Sequence, residues 1–348
     1  MLENLIISPA LSVKETITYM ENNHINAVVI ANDQGKLMGL FSHGDMRRFF
    51  LAGGNLNETI TVAMNPKPII FSSLQEAKDF MLKQTLALYP IVDDNGTIIN
   101  VITNEISDES LELNTTLKDV PLVIMAGGKG TRLYPYTKIL PKALVPIGDY
   151  TISERIIKSF QKFGVRDVYM ILNHKANMIR AYFNDLPKDY NLHFVQEDAF
   201  LGTGGGLFLL KDSIKSTFIL SNCDILIDAD LECIYKTHKM SKNKITFVCA
   251  MKNVQIPYGV VETNADGSIN NFREKPELSF LTNTGLYIIE KEVIDDLNEN
   301  EFIHLPDIAK RYLDKGEKVG VFPIPEHAWL DMGQFNEMKT MLQELGIQ

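Results

Sequence analysis

Basic charge is in short supply in this chain. Its 348 residues set 34 Lys and Arg against 44 Asp and Glu, a formal net charge of −10. The deficit is not confined to a tail: residues 1–118 carry 8 basic and 14 acidic side chains, and the remainder carries 26 and 30. With neither part basic, nucleic acid and anionic membrane surfaces are not expected partners. Cysteine is scarce too. Cys223, Cys233 and Cys249 cannot all pair and show no metal-ligand spacing, which points to a reducing compartment. The seven histidines include no H-x-x-H or H-E-x-x-H, so zinc chemistry is not expected. No apolar run approaches membrane-spanning length, and Met1-Leu2-Glu3-Asn4 lacks the basic and apolar regions of a signal peptide. A cytoplasmic protein is the expectation.

What remains is ordinary globular composition, 45% apolar and 22% charged, with length for two domains that each bury a core. One stretch organises the chain: Val120–Pro135, read VPLVIMAGGKGTRLYP. The apolar run Leu122 to Ala126 predicts a buried parallel strand. It breaks into Gly127, Gly128 and Gly130, whose missing side chains let backbone N–H groups close on an anion. Lys129, Thr131 and Arg132 add positive and hydrogen-bonding groups facing whatever that loop holds. The pattern is neither the P-loop nor G-x-G-x-x-G. It reads as a phosphate cradle, against the blander alternative of a glycine-rich turn.

G-G-x-G-T-R-L followed by Pro141-Lys142-Ala143-Leu144-Val145-Pro146 resembles the sugar-phosphate nucleotidyltransferases. That resemblance implies an enzyme joining a nucleoside triphosphate to a sugar 1-phosphate with release of pyrophosphate. Its motifs recur in order. Gly202 and Thr203 lie in L-G-T-G-G, which the resemblance places near the nucleobase. Asp224, just past the strand Phe218–Leu220, and Asp331, in Trp329-Leu330-Asp331-Met332-Gly333, match the family's metal carboxylates. Gly259, Glu274, Lys275 and Asn283 match its sugar-phosphate motifs. Asp228 and Asp230 read instead as loop and cap residues.

The chemistry follows. A sugar phosphate is already nucleophilic at neutral pH, so the reaction needs two polyanions aligned and a leaving group supported. Arg132 and the glycine-loop amides would hold the β- and γ-phosphates. Lys142 would bridge the α-phosphate and the sugar phosphate, and Lys275 would screen the latter. Mg²⁺ on Asp224 and Asp331 would neutralise the α-phosphate. No Ser/His/Asp or Cys/His arrangement competes. The opening motif looks most like the mannose-1-phosphate guanylyltransferase branch. The layout of the whole chain resembles bacterial guanylyltransferases acting on glucosamine 1-phosphate in legionaminic-type nonulosonic acid synthesis. Mannose 1-phosphate, another base, or an inactive nucleotide-sensing regulator are the alternatives.

The first 118 residues repeat. A shift of 61 positions aligns Ser12 with Ser73, Glu15 with Glu76, Gly35 with Gly96 and Ser42 with Thr103. Each copy, about 8–55 and 66–112, reads as helix, strand, D-x-G or D-N-G turn, strand, helix, and the two should pack as a pseudo-twofold pair. The pattern resembles a CBS-domain pair, which implies a regulatory nucleotide. In copy one, Gly39, Ser42 and Asp45 match the family's nucleotide motif, with Asp45 on ribose hydroxyls. Copy two has Asn100 and Ile106 at two of those places, so one site is expected. The alternative is that Asp45 merely starts the helix Met46–Leu51.

Ser107–Thr116 reads as the linker, and residues 119–348 as an α/β, Rossmann-like nucleotidyltransferase domain (GT-A-like) with a mostly parallel sheet. Only a helix, Gln334–Leu345, is expected after Asp331, without the hexapeptide β-helix of acetyltransferase-fused relatives. A homo-oligomer is expected.

Overall fold

The computed structural model describes residues 5–23, 25–81, 86–103, 117–333 and Met341. The expected linker 107–116, Ile106 and the expected helix 334–345, Met341 excepted, lie outside them. The chain divides into two compact units, Met1–Leu111 and Glu112–Gln348. The second takes in Leu117, buried, whose N–H donates to Phe163 O at 3.1 Å, ahead of the expected start at residue 119.

In the first unit, Ser12 and Glu15 form a capping box at the helix Val13–Asn22, which turns Val13, Ile17 and Met20 inward. Strands Ala27–Ala31 and Leu37–Ser42 pair antiparallel, Ala27 opposite Ser42 and Ala31 opposite Leu37, with a register shift between Ile30 and Ala31. Strands Leu88–Val92 and Ile98–Thr103 pair in the same way, Leu88 opposite Thr103 and Val92 opposite Ile98, with the shift between Ile91 and Val92. The two turns then bond reciprocally: Leu37 N–H donates to Gly96 O and Ile98 N–H to Gly35 O, each at 3.0 Å. Both hairpins contribute to one core through Ala27, Leu40, Leu88 and Val101.

The second unit is built on a seven-stranded sheet. Its strands are β1 (Leu122–Met125), β2 (Asp167–Leu172), β3 (Asn191–Gln196), β4 (Phe218–Asn222), β5 (Ile245–Gln255), β6 (Glu277–Ile289) and β7 (Val319–Pro325). Their spatial order is β3-β2-β1-β4-β6-β5-β7. β6 is antiparallel to both neighbours, and the other pairings are parallel.

Both faces of the central strands β1 and β4 are covered, which is why Leu122–Met125 and Phe218–Leu220 read as continuous apolar runs. Leu122 and Ile124 of β1 join the core under the helices Ile152–Gln161 and Leu231–Ser241. Val123, between them, joins the opposite core with Leu207, Leu305 and Ile308. The strand order reverses direction between β1 and β4, the place where open α/β sheets leave a crevice at their carboxyl ends.

Candidate active site

The glycine loop leaves β1 at that crevice. Gly130, at φ +64°, leads into a 3₁₀ turn, Thr131–Leu133, whose Leu133 is buried while Thr131 and Arg132 stay exposed. A second turn, Lys142–Leu144, buries Ala143 and Leu144 and leaves the Lys142 ammonium paired with Asp224. Asp224 itself follows β4, buried, between that strand and the short strand Ile225–Ile227.

Asp331 arrives by a pairing of two three-residue strands. Trp329–Asp331 runs antiparallel to Ile225–Ile227 with Asp331 opposite Ile225, and Met332 N–H donates to Asp224 O at 2.8 Å. Residues 107 positions apart thus become neighbours. Burial pushes the Asp331 carboxyl up, and the Asp224 carboxylate pushes it further; the Gly333 N–H at 2.7 Å, Lys142 and Arg132 pull the other way.

Two carboxylates, one raised chiefly by burial and then by the other, make a hard-oxygen donor set. That suits Mg²⁺, which takes few carboxylates and completes its shell with phosphate oxygens and water. Among the described residues no group of three or more His, Cys, Asp and Glu could hold a metal. Asp224 and Asp331 are the candidate pair because the short strands make them neighbours.

A cleft of about 290 Å³ brings Gly127, Gly128, Gly130, Thr131, Arg132, Lys142, Gly202, Thr203 and Asp224 together. Gly202 is irreplaceable where it stands: its φ is +83°, and a Cβ there would lie 2.5 Å from Ile303 O. Thr203 is tied beside it, with its N–H donating to His304 Nδ1 at 3.3 Å and its Oγ1 accepting from Leu305 N–H at 3.2 Å.

Glu197, Phe200, Asn222 and Cys223 are among the residues lining the same cleft that the motifs did not mark as candidates. Glu197 is 1% exposed, and burial raises its carboxyl while the Leu201 N–H at 3.1 Å lowers it. A charged residue ending a half-buried strand just before a glycine run was the available signal. The Cys223 thiol is pushed up to about 12 by burial, so it is no nucleophile.

The sugar motif stands apart from this cleft. Gly259 and Glu274 are neighbours across the two-stranded ribbon Val260–Thr263 with Ile269–Arg273, a Cβ at Gly259 coming 3.0 Å from Glu274 Oε2. Glu274 and Lys275 are exposed, and Lys275 holds φ +43°. Asn283 donates from Nδ2 to Tyr287 OH at 2.9 Å and accepts the Gly285 N–H at 3.1 Å. None of these four lines the cleft.

In the first unit the helix starts at His43, earlier than Met46, and Ser42 rather than Asp45 is its cap. Asp45 is the third helical residue, accepting from Ser42 N–H at 2.9 Å and Ser42 Oγ at 2.6 Å and pairing with Arg48. Gly39 has no room for a side chain, since a Cβ would lie 2.7 Å from both Asn65 O and Met64 Sδ. A cavity of about 400 Å³ is lined by Asp45, Arg48, Phe49, Met64 and Asn65, among others, but not by Gly39 or Ser42. Asp230 is the N-cap of Leu231–Ser241, accepting from Cys233 N–H at 2.9 Å.

Comparison with known proteins agrees with this architecture. The chain is 32% identical over 224 residues to the bifunctional protein GlmU of Methanocaldococcus jannaschii, covering 61% of this chain and 51% of that protein. It is 30% identical over 232 residues to a UTP–glucose-1-phosphate uridylyltransferase of Synechocystis, covering 61% of this chain and 60% of the relative. It is also 30% identical over 221 residues to the mannose-1-phosphate guanyltransferase of Saccharomyces cerevisiae, covering 61% of each. The chain spans about half the length of the GlmU proteins it matches. The crystal structure of HddC from Yersinia pseudotuberculosis shares the fold, with a TM-score of 0.51 and 24% identity over 65% of this chain and 99% of that one. Residues 1–52 match the CBS domain. Residues 122–346 match the nucleotidyl transferase family, and the chain belongs to it.

Proposed function

We propose that the second unit transfers a nucleotidyl group, GMP from GTP, to a sugar 1-phosphate, glucosamine 1-phosphate, for a surface-glycan or nonulosonic acid precursor. A phosphate oxygen of the sugar phosphate attacks the α-phosphorus of the triphosphate. The bond from the α-phosphorus to the bridging oxygen breaks, and pyrophosphate leaves with that electron pair. The observation that carries this reading is the single cleft holding the glycine loop, Arg132, Lys142 and Asp224 at the carboxyl ends of β1 and β4.

On this reading the residues divide the work. Backbone N–H groups of Gly127, Gly128 and Gly130 and the Arg132 guanidinium hold the β- and γ-phosphates. Lys142, poised on Asp224, meets the anion that arrives between them. Asp224 and Asp331 would hold Mg²⁺, whose charge supports the pyrophosphate as it departs. Gly259, Glu274, Lys275 and Asn283 take the sugar phosphate from the exposed ribbon side.

Guanine is favoured by Glu197. A carboxylate beside the Gly202–Thr203 segment matches the two adjacent donors on guanine's edge, N1–H and the 2-amino group, which uracil does not offer together. One relative is named for guanine and another for UTP, so the names leave the base to Glu197, and both support a sugar 1-phosphate acceptor. Glucosamine rests on the layout, a CBS match ahead of the transferase. We read the first unit as a CBS-domain pair with one nucleotide site at Asp45.

Pyrophosphate release measured with a panel of four NTPs against several hexose 1-phosphates is the test. Turnover is expected to be fastest with GTP and glucosamine 1-phosphate. Fastest turnover with UTP would remove the guanine reading, and no turnover with any pair would remove the transferase reading.

A further inference from the structure

Beyond the residues that face the cleft, three consecutive ones after β2 grip both ends of the glycine loop. Asn173 packs against Gly127, its Nδ2 donating to Glu197 O at 2.8 Å. His174 N–H donates to Gly127 O at 3.3 Å. The Lys175 ammonium donates to three successive carbonyls, Thr137 O at 3.0 Å, Lys138 O at 2.7 Å and Ile139 O at 2.9 Å. Those carbonyls close the short helix Tyr136–Ile139 that follows the loop.

From there the contact runs back into the loop itself. Thr137, buried, donates from Oγ1 to Gly130 O at 2.7 Å. Gly130 in turn sits against Thr137 Cγ2 and Lys142 Cβ, which a Cβ would approach at 3.0 and 3.1 Å. Lys175 also holds φ +54°, left-handed backbone that a non-glycine residue adopts at a cost. A cation with three acceptors in a fixed fan, on strained backbone, is placed for a purpose that surface solvation does not explain.

We propose that Lys175 is a positioning residue: through Thr137–Ile139 it fixes Gly130 and Lys142 at the geometry in which the loop amides meet a triphosphate. This deepens the nucleotidyl-transfer reading and rests on it for the identity of the ligand. The clasp spans the loop from its first glycine to the helix beyond it, so Lys175 never touches the phosphates. Neutral or short side chains at 175 would leave three carbonyls to water and let the helix Tyr136–Ile139 drift.

The test pairs hydrogen exchange with kinetics in the full chain. Lys175→Ala is expected to speed exchange at amides 127–139 while β2 and β4 keep their protection, and to raise the KM for GTP about ten- to hundredfold, the usual cost of a misplaced contact. The KM for the sugar phosphate should rise less, through Lys142 alone, and Lys175→Arg should recover part of the loss. Unchanged exchange at 127–139 would overturn the proposal. So would faster exchange with an unchanged GTP KM, or a loss that Lys175→Arg does not relieve at all. Faster loop exchange in a protein whose wild type turns over no NTP would uphold the clasp and sink the transferase reading instead.

Discussion

Asp224 and Asp331 share a charge problem and answer it differently. Asp224 has Lys142 as a counter-ion, whereas the Asp331 carboxyl is raised by burial and by Asp224. An acid held above its ordinary range makes its ionised form a burden on the fold at neutral pH. Asp331→Asn should therefore keep or raise the thermal midpoint. Asp224→Asn strands the Lys142 ammonium, whose side chain is only 12% exposed, and should lower the midpoint by about 2–12 °C, the shift that ~1–3 kcal/mol makes in a domain of this size. Both variants should lose about a hundredfold or more in turnover at saturating Mg²⁺. Near-wild-type turnover in either one would remove that carboxylate from the metal pair. The cations divide by substrate. Arg132 lines the cleft and Lys275 sits on the exposed ribbon, so Arg132→Ala should chiefly weaken triphosphate use and Lys275→Ala sugar-phosphate use. Each loss should be about 10²–10³, the size measured for one charge-stabilising donor. Identical effects of the two variants on both substrates would refute the division.

Elements were legible where a strand or helix carries its own signal. Ala27–Ala31 is legible because both its faces are buried and its apolar run is unbroken. The helix His43–Leu51 was read short because its polar first turn, His43-Gly44-Asp45, carries no apolar periodicity. The strands Ile225–Ile227 and Trp329–Asp331 escaped, being three residues each and paired across the whole unit. Asp331 was nonetheless singled out as a candidate, from its motif and not from its strand. Nothing in a Lys marks left-handed backbone, so the Lys175 clasp had no sequence sign. The helix Leu231–Ser241 carries a further consequence. His238 is fully buried on it, with Nδ1 2.8 Å from Thr246 Oγ1 and Nε2 3.2 Å from Glu290 Oε1, and Lys239 donates to the same Glu290 oxygen at 2.7 Å. Burial pushes the imidazole down; Glu290 opposes that shift and Lys239 adds to it. A group depressed in the fold stays neutral while its unfolded counterpart protonates, so stability present above about pH 6.5 is lost as pH falls below it. Burial raises the Glu290 carboxyl, but Lys239 and Thr217 outweigh it and leave the group lowered, which adds a further loss below the usual Glu range. The thermal midpoint should fall as pH drops from 7 to 5.5, and His238→Gln should flatten that stretch of the curve. An unaltered slope in the variant would show that His238 is not the titrating group.

At the scale of the whole molecule, a transferase unit is joined to a smaller unit whose two hairpins bond reciprocally through Leu37 to Gly96 and Ile98 to Gly35. Against that near-symmetry, the difference at the Asp45 position is informative. In the first hairpin's half, Asp45 lines a cavity of about 400 Å³, and Arg48, 65% exposed along its side chain, is paired with it. A nucleotide phosphate would draw Arg48 outward and free Asp45 Oδ1 to accept a ribose hydroxyl. In the second half Asn100 spends its Oδ1 on Val101 N–H at 2.9 Å, and the position equivalent to Asp45 is Ile106, which has no acceptor. A ribose hydroxyl left unpaired where the bound nucleotide shuts out water costs about 1–3 kcal/mol, enough to weaken binding roughly ten- to a hundredfold. One nucleotide per chain is therefore the expected stoichiometry when the full chain is titrated with AMP or ATP, followed by calorimetry. Asp45→Asn keeps the shape of the helix start while removing the charge, and it should abolish that binding together with any effect of the nucleotide on turnover. Two equivalent sites would sink the asymmetry argument, and full-strength binding in Asp45→Asn would move the site away from this cavity.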